Sequence, residues 1–286
     1  MTTATFAVVT AGEMGASIGR RLAKGGARVV TSTEGRSAAT VARAREAGLI
    51  SVDDEGLVAS DVVLSIAPPA IAIDVARRCA AAMVRSKRSP VYVDCNAVSV
   101  ETAREIARVI DAAGARFVDG SIIGAPGHPD EPGPTLYLSG EVPEDVERLR
   151  HFGVRARSTG GPIGAASALK MAYAGLNKGL TALAAAMTLA ASRAGAAEAL
   201  RQELSESQPA LLAKIAASLP DMYAKAYRWD FEMREVARFA GEDPAAERIY
   251  EGAAALFERL AIDWAGERTE IAAIDRFLAQ VRERSP

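Results

Sequence analysis

Cysteine and histidine are scarce in this chain of 286 residues, with two of each, and the scarcity excludes several chemistries at once. Cys79 and Cys95 show neither metal spacing nor a disulfide framework. His128 and His151 would need a surrounding Asp/Glu/His cluster to hold a metal, and the sequence spaces none near them, so no metal site is expected. An excess of one charge is also missing. Thirty-four Lys and Arg face 36 Asp and Glu, a net charge of −2, which argues against nucleic-acid or anionic-membrane partners. Long hydrophobic runs are absent as well. No basic N-terminal region leads into an apolar stretch, and the longest alanine-rich segment, Leu180 to Ala197, is interrupted by Thr, Ser and Arg. These absences lead to the expectation of a soluble, cytoplasmic, reduced protein without a membrane span. Cys95, after an expected strand, then reads as a small core or pocket-edge residue.

What is present begins with the first 37 residues. Thr5 to Val9 is β-branched and apolar, which suits a buried parallel strand. The turn that follows, Thr10-Ala11-Gly12-Glu13-Met14-Gly15, approximates G-x-G-x-x-G with Thr10 in place of the first glycine. Gly12 would let backbone approach a pyrophosphate, and Gly15 would let the next helix, about Met14 to Lys24, pack closely on the strand. The free N–H groups of that helix would receive the anion. A tight strand-to-helix turn without a ligand is the competing reading. The second strand, Arg28 to Ser32, lacks the terminal acid that would chelate an adenine-ribose diol; its loop offers Thr33, Arg36 and Ser37 instead. A guanidinium and hydroxyls suit a 2′-phosphate, so NADP is favoured over NAD. Glu34 keeps NAD possible, with Arg36 then a solvated surface charge.

Strands and helices alternate to about residue 160. Asp61 to Ile66 ends in Ala67-Pro68-Pro69, and Val91 to Asp94 ends in Cys95-Asn96-Ala97. Ligands of an open parallel sheet lie beyond the carboxyl ends of its strands, so Ala67, Pro68, Pro69 and Asn96 are candidates for adenosine-ribose and nicotinamide contacts. Their alternative role is strand-end punctuation. Arg116 to Asp119 predicts a further strand, and Gly120 to Pro129 a loop rich in turn formers. Thr135 to Gly140 and Gly153 to Arg157 complete the sheet. After Gly160-Gly161-Pro162 the pattern becomes helical: Gly164 to about Ala197, then segments around Ser207 to Leu219, Met222 to Phe239, Pro244 to Ile262 and Thr269 to Arg284. The expected architecture is an α/β Rossmann domain with a mostly parallel doubly wound sheet over residues 1–160, followed by an all-α domain over 161–286. The long first helix, rich in small residues, calls for a neighbour along its length and suggests a homodimer through the α domain.

These residues together resemble the β-hydroxyacid dehydrogenase superfamily, which includes 3-hydroxyisobutyrate and 6-phosphogluconate dehydrogenases and the related imine reductases. The resemblance spans the whole chain in element order and rests on the turn Thr10 to Gly15, the strand end Ile66 to Pro69, the Asp94-Cys95-Asn96 strand end, the loop from Asp119 and, most specifically, Gly161-Pro162-Ile163-Gly164 followed by Lys170. In that family the lysine at this place is catalytic, which implies that Lys170 is a general acid/base with the turn Thr10, Gly12, Glu13, Met14 and Gly15 on the cofactor. A lysine whose pKa is lowered by burial or nearby charge can protonate a developing alkoxide or take the alcohol proton.

Departures from the family pattern carry information too. Tyr173 and Ala174 replace an Asn-Asn or His-Asn pair, and Asn177 stands where 6-phosphogluconate dehydrogenases carry an acidic glutamate, so decarboxylation of a sugar acid is not expected. Tyr173 and Asn177 fall on the helix stripe of Lys170 and are candidates to orient substrate. The family's Asp-Ala-Pro-Val-Ser-Gly-Gly becomes Asp119-Gly-Ser-Ile-Ile-Gly-Ala125, which places Ile123 where a serine would hold a substrate carboxylate, beside Gly124, with Ser121 two residues away. A drier pocket implies a small-molecule substrate with a larger apolar portion than 3-hydroxyisobutyrate. In the α domain, Arg228 and Trp229 are candidates for an anionic substrate group and a pocket wall; the competing reading packs the aromatic residues in the core and pairs Arg228 with Glu232. The resulting expectation is an NADP-preferring oxidoreductase acting between a hydroxy acid and its carbonyl partner. An imine reductase or reductive aminase, and a non-catalytic NADP(H)-binding protein, are the alternatives.

Overall fold

Alternation along the first strand sets the layers: Phe6 and Val8 face one apolar cluster, Ala7 and Val9 the other. In the computed structural model, which describes residues 4–127 and 133–282, these clusters cover the two faces of one eight-stranded sheet. His128 and Pro129 lie outside the described residues. The first elements are β1 (Thr5–Val8), α1 (Glu13–Lys24), β2 (Arg28–Thr31), α2 (Ala38–Glu46), β3 (Ile50–Ser51), α3 (Asp54–Val58), β4 (Val62–Ser65), α4 (Ala72–Ser86), β5 (Val91–Asp94) and α5 (Val100–Ala112). They are followed by β6 (Phe117–Ile123), β7 (Thr135–Ser139), α6 (Glu144–Glu147) and β8 (Arg155–Ser158). The strand order is β3-β2-β1-β4-β5-β6-β7-β8, parallel throughout except for the antiparallel pair β6–β7. The order reverses between β1 and β4, which is where such sheets open a crevice.

One expectation needs correction. Gly120 to Ile123 are not loop: β6 continues to Ile123 because β7 pairs with it, Ser121 opposite Tyr137 and Ile123 opposite Thr135. Gly120 is there for close approach. A Cβ at that position would lie 2.7 Å from the Asp94 carbonyl of the neighbouring strand.

The chain divides into two compact units, Met1–Met171 and Ala172–Pro286, with the division inside the 29-residue helix α7 (Ala165–Arg193). The second unit continues with α8 (Ala197–Ser207), α9 (Pro209–Tyr223), α10 (Ala226–Phe239), α11 (Pro244–Ala265) and α12 (Thr269–Arg282). The sequence pattern runs the first of these helices on to Ala197. In the structure α7 stops at Arg193, because Gly195 at φ +72° turns the chain, and α8 is a separate helix.

Candidate active site

The glycine turn is shaped by contacts that the sequence pattern only partly describes. Thr10, buried at the end of β1, donates its hydroxyl to the Ile66 carbonyl at the end of β4 and so ties together the two strands that flank the crevice. Gly15 admits no side chain: a Cβ would sit 2.0 Å from the Thr10 carbonyl oxygen. Gly12 differs, with ordinary φ of −64° and open space where a Cβ would project. It caps α1 without a side chain, and Glu13 and Met14 form the first turn. Backbone N–H groups at a helix start, under an open glycine, fit a pyrophosphate.

On the adenosine side, Thr33 to Arg36 form a turn closed by Arg36 N–H to the Thr33 carbonyl, with Gly35 at φ +66°. The Thr33 hydroxyl bonds that of Ser51, and Ser37 caps α2 by accepting from the Thr40 N–H. Two of the three candidate phosphate readers therefore already have local hydroxyl roles. Arg36 is half-buried, without an ion pair among the described residues. The Thr31 hydroxyl, at the end of β2, is buried with no partner.

At the ends of β4 and β5, Asn96 is committed to its surroundings. Its Nδ2 donates to Ser65 Oγ at 3.0 Å and to Asp94 Oδ1, and its Oδ1 accepts from the Ala67 N–H at 2.6 Å. The amide is a strap between strand ends, and whatever contact it makes to a cofactor is additional to that. Pro68 is exposed and Pro69 opens a short 3-10 turn to Ile71.

The most heavily bonded group in this unit is the carboxylate of Asp119, fully buried on β6. Its Oδ2 accepts from Ser139 Oγ (2.7 Å) and from the N–H groups of Gly164 (3.0 Å), Ala166 (3.0 Å) and Ser167 (3.1 Å); its Oδ1 accepts from Ser167 Oγ (2.6 Å). Asp119 thus caps the start of α7 from another element, supplying a charge where the helix N–H groups lack acceptors. One turn further, half-buried Lys170 donates from Nζ to the Ile122 carbonyl at 2.9 Å. A single strand therefore holds both the start of α7 and the head of Lys170. Beside that carbonyl, Ser121 Oγ is buried without a partner, Ile123 is half-buried, and Gly124 is exposed at φ +119°. Next to Asp119 across the sheet lies Asp94, also fully buried. Burial, with the Asp119 charge second, raises its pKa from 3.8 to about 8 against the lowering effect of the Asn96 bonds. Burial likewise pushes the Cys79 thiol up to about 12, which leaves it an inert core residue.

In the second unit, Tyr173 is 49% exposed, while Asn177 bonds back to the Tyr173 carbonyl (2.9 Å) and accepts from Lys214 (3.5 Å). Trp229 packs edge-on against Phe257 in the interior of that unit, with the Lys178 ammonium over its ring, and Arg228 is exposed. The i, i+4 partner proposed for Arg228 is engaged elsewhere, since Glu232 pairs with Lys178. No group of three or more potential metal ligands occurs among the described residues.

Sequence reasoning missed the cap made by Asp119, the buried Asp94 beside it, and Arg43, whose Nη1 donates to the Ala11 carbonyl at 3.3 Å. An aspartate closing each of two apolar strands, Val91 to Asp94 and Phe117 to Asp119, was the available signal for the first two. Nothing local distinguishes Arg43 from its neighbour Arg45.

Comparison with known proteins agrees with this layout. Residues 5–152 match the family described as the NAD binding domain of 6-phosphogluconate dehydrogenase, which covers more than half of the chain. The chain belongs to that family. Residues 191–260 match a domain of unknown function, DUF1932. An uncharacterized 28.5 kDa protein of Methanothermus fervidus is 32% identical over 182 residues, 63% of this chain and 68% of that protein. A conserved protein whose structure is described as similar to 3-hydroxyacid dehydrogenases is 28% identical with TM-score 0.67, covering 91% of this chain and 99% of that one. The Mycobacterium tuberculosis 3-hydroxyisobutyrate dehydrogenase, solved with L-serine, shares the fold at 18% identity and TM-score 0.69, over 96% and 99% of the two chains. The protein is a member of the β-hydroxyacid dehydrogenase superfamily and an NAD(P)-dependent oxidoreductase. Among the described residues, no helix is long and apolar enough to cross a membrane.

Proposed function

We propose that this oxidoreductase prefers NADP and interconverts a hydroxy acid and its carbonyl partner, with Lys170 as general acid/base. The observation that carries the reading is Lys170 Nζ held on the Ile122 carbonyl by a helix whose start is locked to Asp119 on the same strand. The open space at Gly12, the helix start beneath it and the partnerless Thr31 hydroxyl fit a dinucleotide. Thr10 to Gly15 would hold its pyrophosphate, with Ala67, Pro68, Pro69 and Asn96 along the ribose and nicotinamide. Thr33, Arg36 and Ser37 are assigned to the 2′-phosphate. When bound, the nicotinamide supplies hydride exchange at C4. Lys170 Nζ delivers the proton to the carbonyl oxygen during reduction and removes it from the hydroxyl during oxidation. The Ile122 carbonyl keeps the amine in register, so little reorganisation accompanies proton transfer.

For the substrate we assign Ser121 Oγ as a polar contact and Ile123 and Gly124 as the apolar edge. Ile123 supports a substrate with a larger apolar portion than 3-hydroxyisobutyrate. We assign cofactor binding to residues 1–160, substrate binding and dimerisation to 161–286, and the cytoplasm as location. Homodimerisation is supported by an apolar stripe on α7: Tyr173, Leu176, Leu183 and Met187 are 49%, 74%, 60% and 56% exposed at heptad-like spacing.

The test is a carbonyl and imine screen with NADPH on wild type and Lys170→Met. Loss of at least about 100-fold in kcat on a carbonyl substrate, with NADPH binding unchanged, supports the assignment. Turnover of imines alone, independent of Lys170, would replace it with imine reduction. NADPH binding with no turnover in either panel would leave a binding protein.

A further inference from the structure

Arg43 lies outside every role assigned so far. It sits on α2, two turns beyond the Ser37 cap, and its guanidinium turns back to the glycine turn, donating from Nη1 to the Ala11 carbonyl at 3.3 Å. The side chain is half-buried and has no carboxylate partner among the described residues, so this carbonyl is the single acceptor seen for a group with five N–H donors. Placing a cation there costs desolvation, and one neutral carbonyl is a poor return for it. A phosphate would supply the missing counter-charge, since a guanidinium forks onto phosphate oxygens.

Position decides which phosphate. Ala11 precedes Gly12, on the side of the turn before the helix start that suits the pyrophosphate. Helix α2 follows directly on the Thr33–Ser37 loop at the end of β2, and β2 lies on the side of β1 away from β4. Arg43 therefore reaches the crevice from the adenosine half. The Thr33 and Ser37 hydroxyls of that loop are neutral and already share bonds with Ser51 and Thr40, so Arg36 is the one cation that residues 33–37 bring to a phosphate. We infer that Arg43 is a second reader of the cofactor 2′-phosphate and, with Arg36, sets the preference for NADP over NAD. This inference rests on the NADP reading above.

The experiment measures dissociation constants of NADPH, NADH, 2′,5′-ADP and ADP for wild type, Arg36→Ala, Arg43→Gln and Arg43→Lys, with thermal unfolding of each free protein. Glutamine retains a donor for the Ala11 carbonyl and removes the charge; lysine retains the charge. Expected is at least a tenfold loss for NADPH and 2′,5′-ADP in Arg43→Gln, less than twofold for NADH and ADP, and partial recovery in Arg43→Lys. Equal losses for all four ligands, or none, overturn the inference; the former would mark Arg43 as a support of the turn. If wild type prefers NADPH and Arg36→Ala abolishes that preference while Arg43→Gln keeps it, only the Arg43 inference fails. If wild type binds NADPH no more tightly than NADH, the NADP reading fails and takes the inference with it.

Discussion

Replacing Asp119 by alanine removes the acceptor for five hydrogen bonds at once and leaves the Gly164 and Ser167 N–H groups buried without it at the start of α7, while the Ala166 N–H keeps its second acceptor, Ser139 Oγ at 3.0 Å. A hydrogen bond to a charged group contributes about 1.5–3 kcal/mol net, but these five share one carboxylate and do not add. A buried donor left unsatisfied costs about 1–3 kcal/mol, so the stranded N–H groups and the lost charge opposite the helix start together set a loss of about 3–5 kcal/mol. Asp119→Asn is the informative companion. The amide oxygen can occupy the Oδ2 position and accept the three N–H groups and Ser139, while the NH2 faces Ser167 Oγ, whose hydroxyl rotates to accept it. What is lost is the charge opposite the helix start, about 1–2 kcal/mol in a buried setting. Urea unfolding followed by far-UV circular dichroism reads both values. Thermal midpoints should fall by roughly 6–20 °C for alanine, at about 2–4 °C per kcal/mol for a unit of this size. An alanine variant losing less than about 1 kcal/mol, or an asparagine variant as damaged as the alanine one, would refute the argument.

Three further outcomes follow from the same geometry. Gly15→Ala should fold poorly, because its Cβ meets the Thr10 carbonyl at 2.0 Å, whereas Gly12→Ala should keep the wild-type midpoint and lose NADPH affinity by tenfold or more; equal thermal damage in both would contradict this. Asp94, with a folded pKa raised from 3.8 to about 8, holds a proton that the unfolded chain releases, so its stabilising contribution is full below about pH 4 and is lost as pH rises toward 8. Asp94→Asn should accordingly gain on wild type between pH 5 and 8 by up to about 1.4 kcal/mol per pH unit, and a pH-independent difference in urea midpoints would exclude the raised pKa. Leu176→Glu with Leu183→Glu should convert a dimer to a folded monomer in sedimentation velocity; unchanged mass would remove α7 from the interface.

Much of this protein is legible along the chain, because some constraints act between near neighbours. The continuous apolar runs of β1, β4 and β5, the glycine turn into α1, and the helical composition beyond residue 164 each express a local backbone or burial requirement that neighbouring residues reveal. Lys170 is singled out in the chain through the family resemblance, by its offset from Gly161-Pro162-Ile163-Gly164. Three-dimensional structure decided what depends on pairing between distant segments. Ser121 and Ile123 became strand because β7 returned to bond them, although their flanks are rich in turn formers. Asp119 became a helix cap only when residues 45 to 48 positions later came to rest on its carboxylate. Arg43 and Arg45 are indistinguishable in sequence, and Arg43 alone turns to the Ala11 carbonyl because α2 presents that face to the turn after β1. The side-chain pattern of a segment reports which face is apolar; which polar group meets which is set by the assembled sheet and helices, where a buried charge must find its partners.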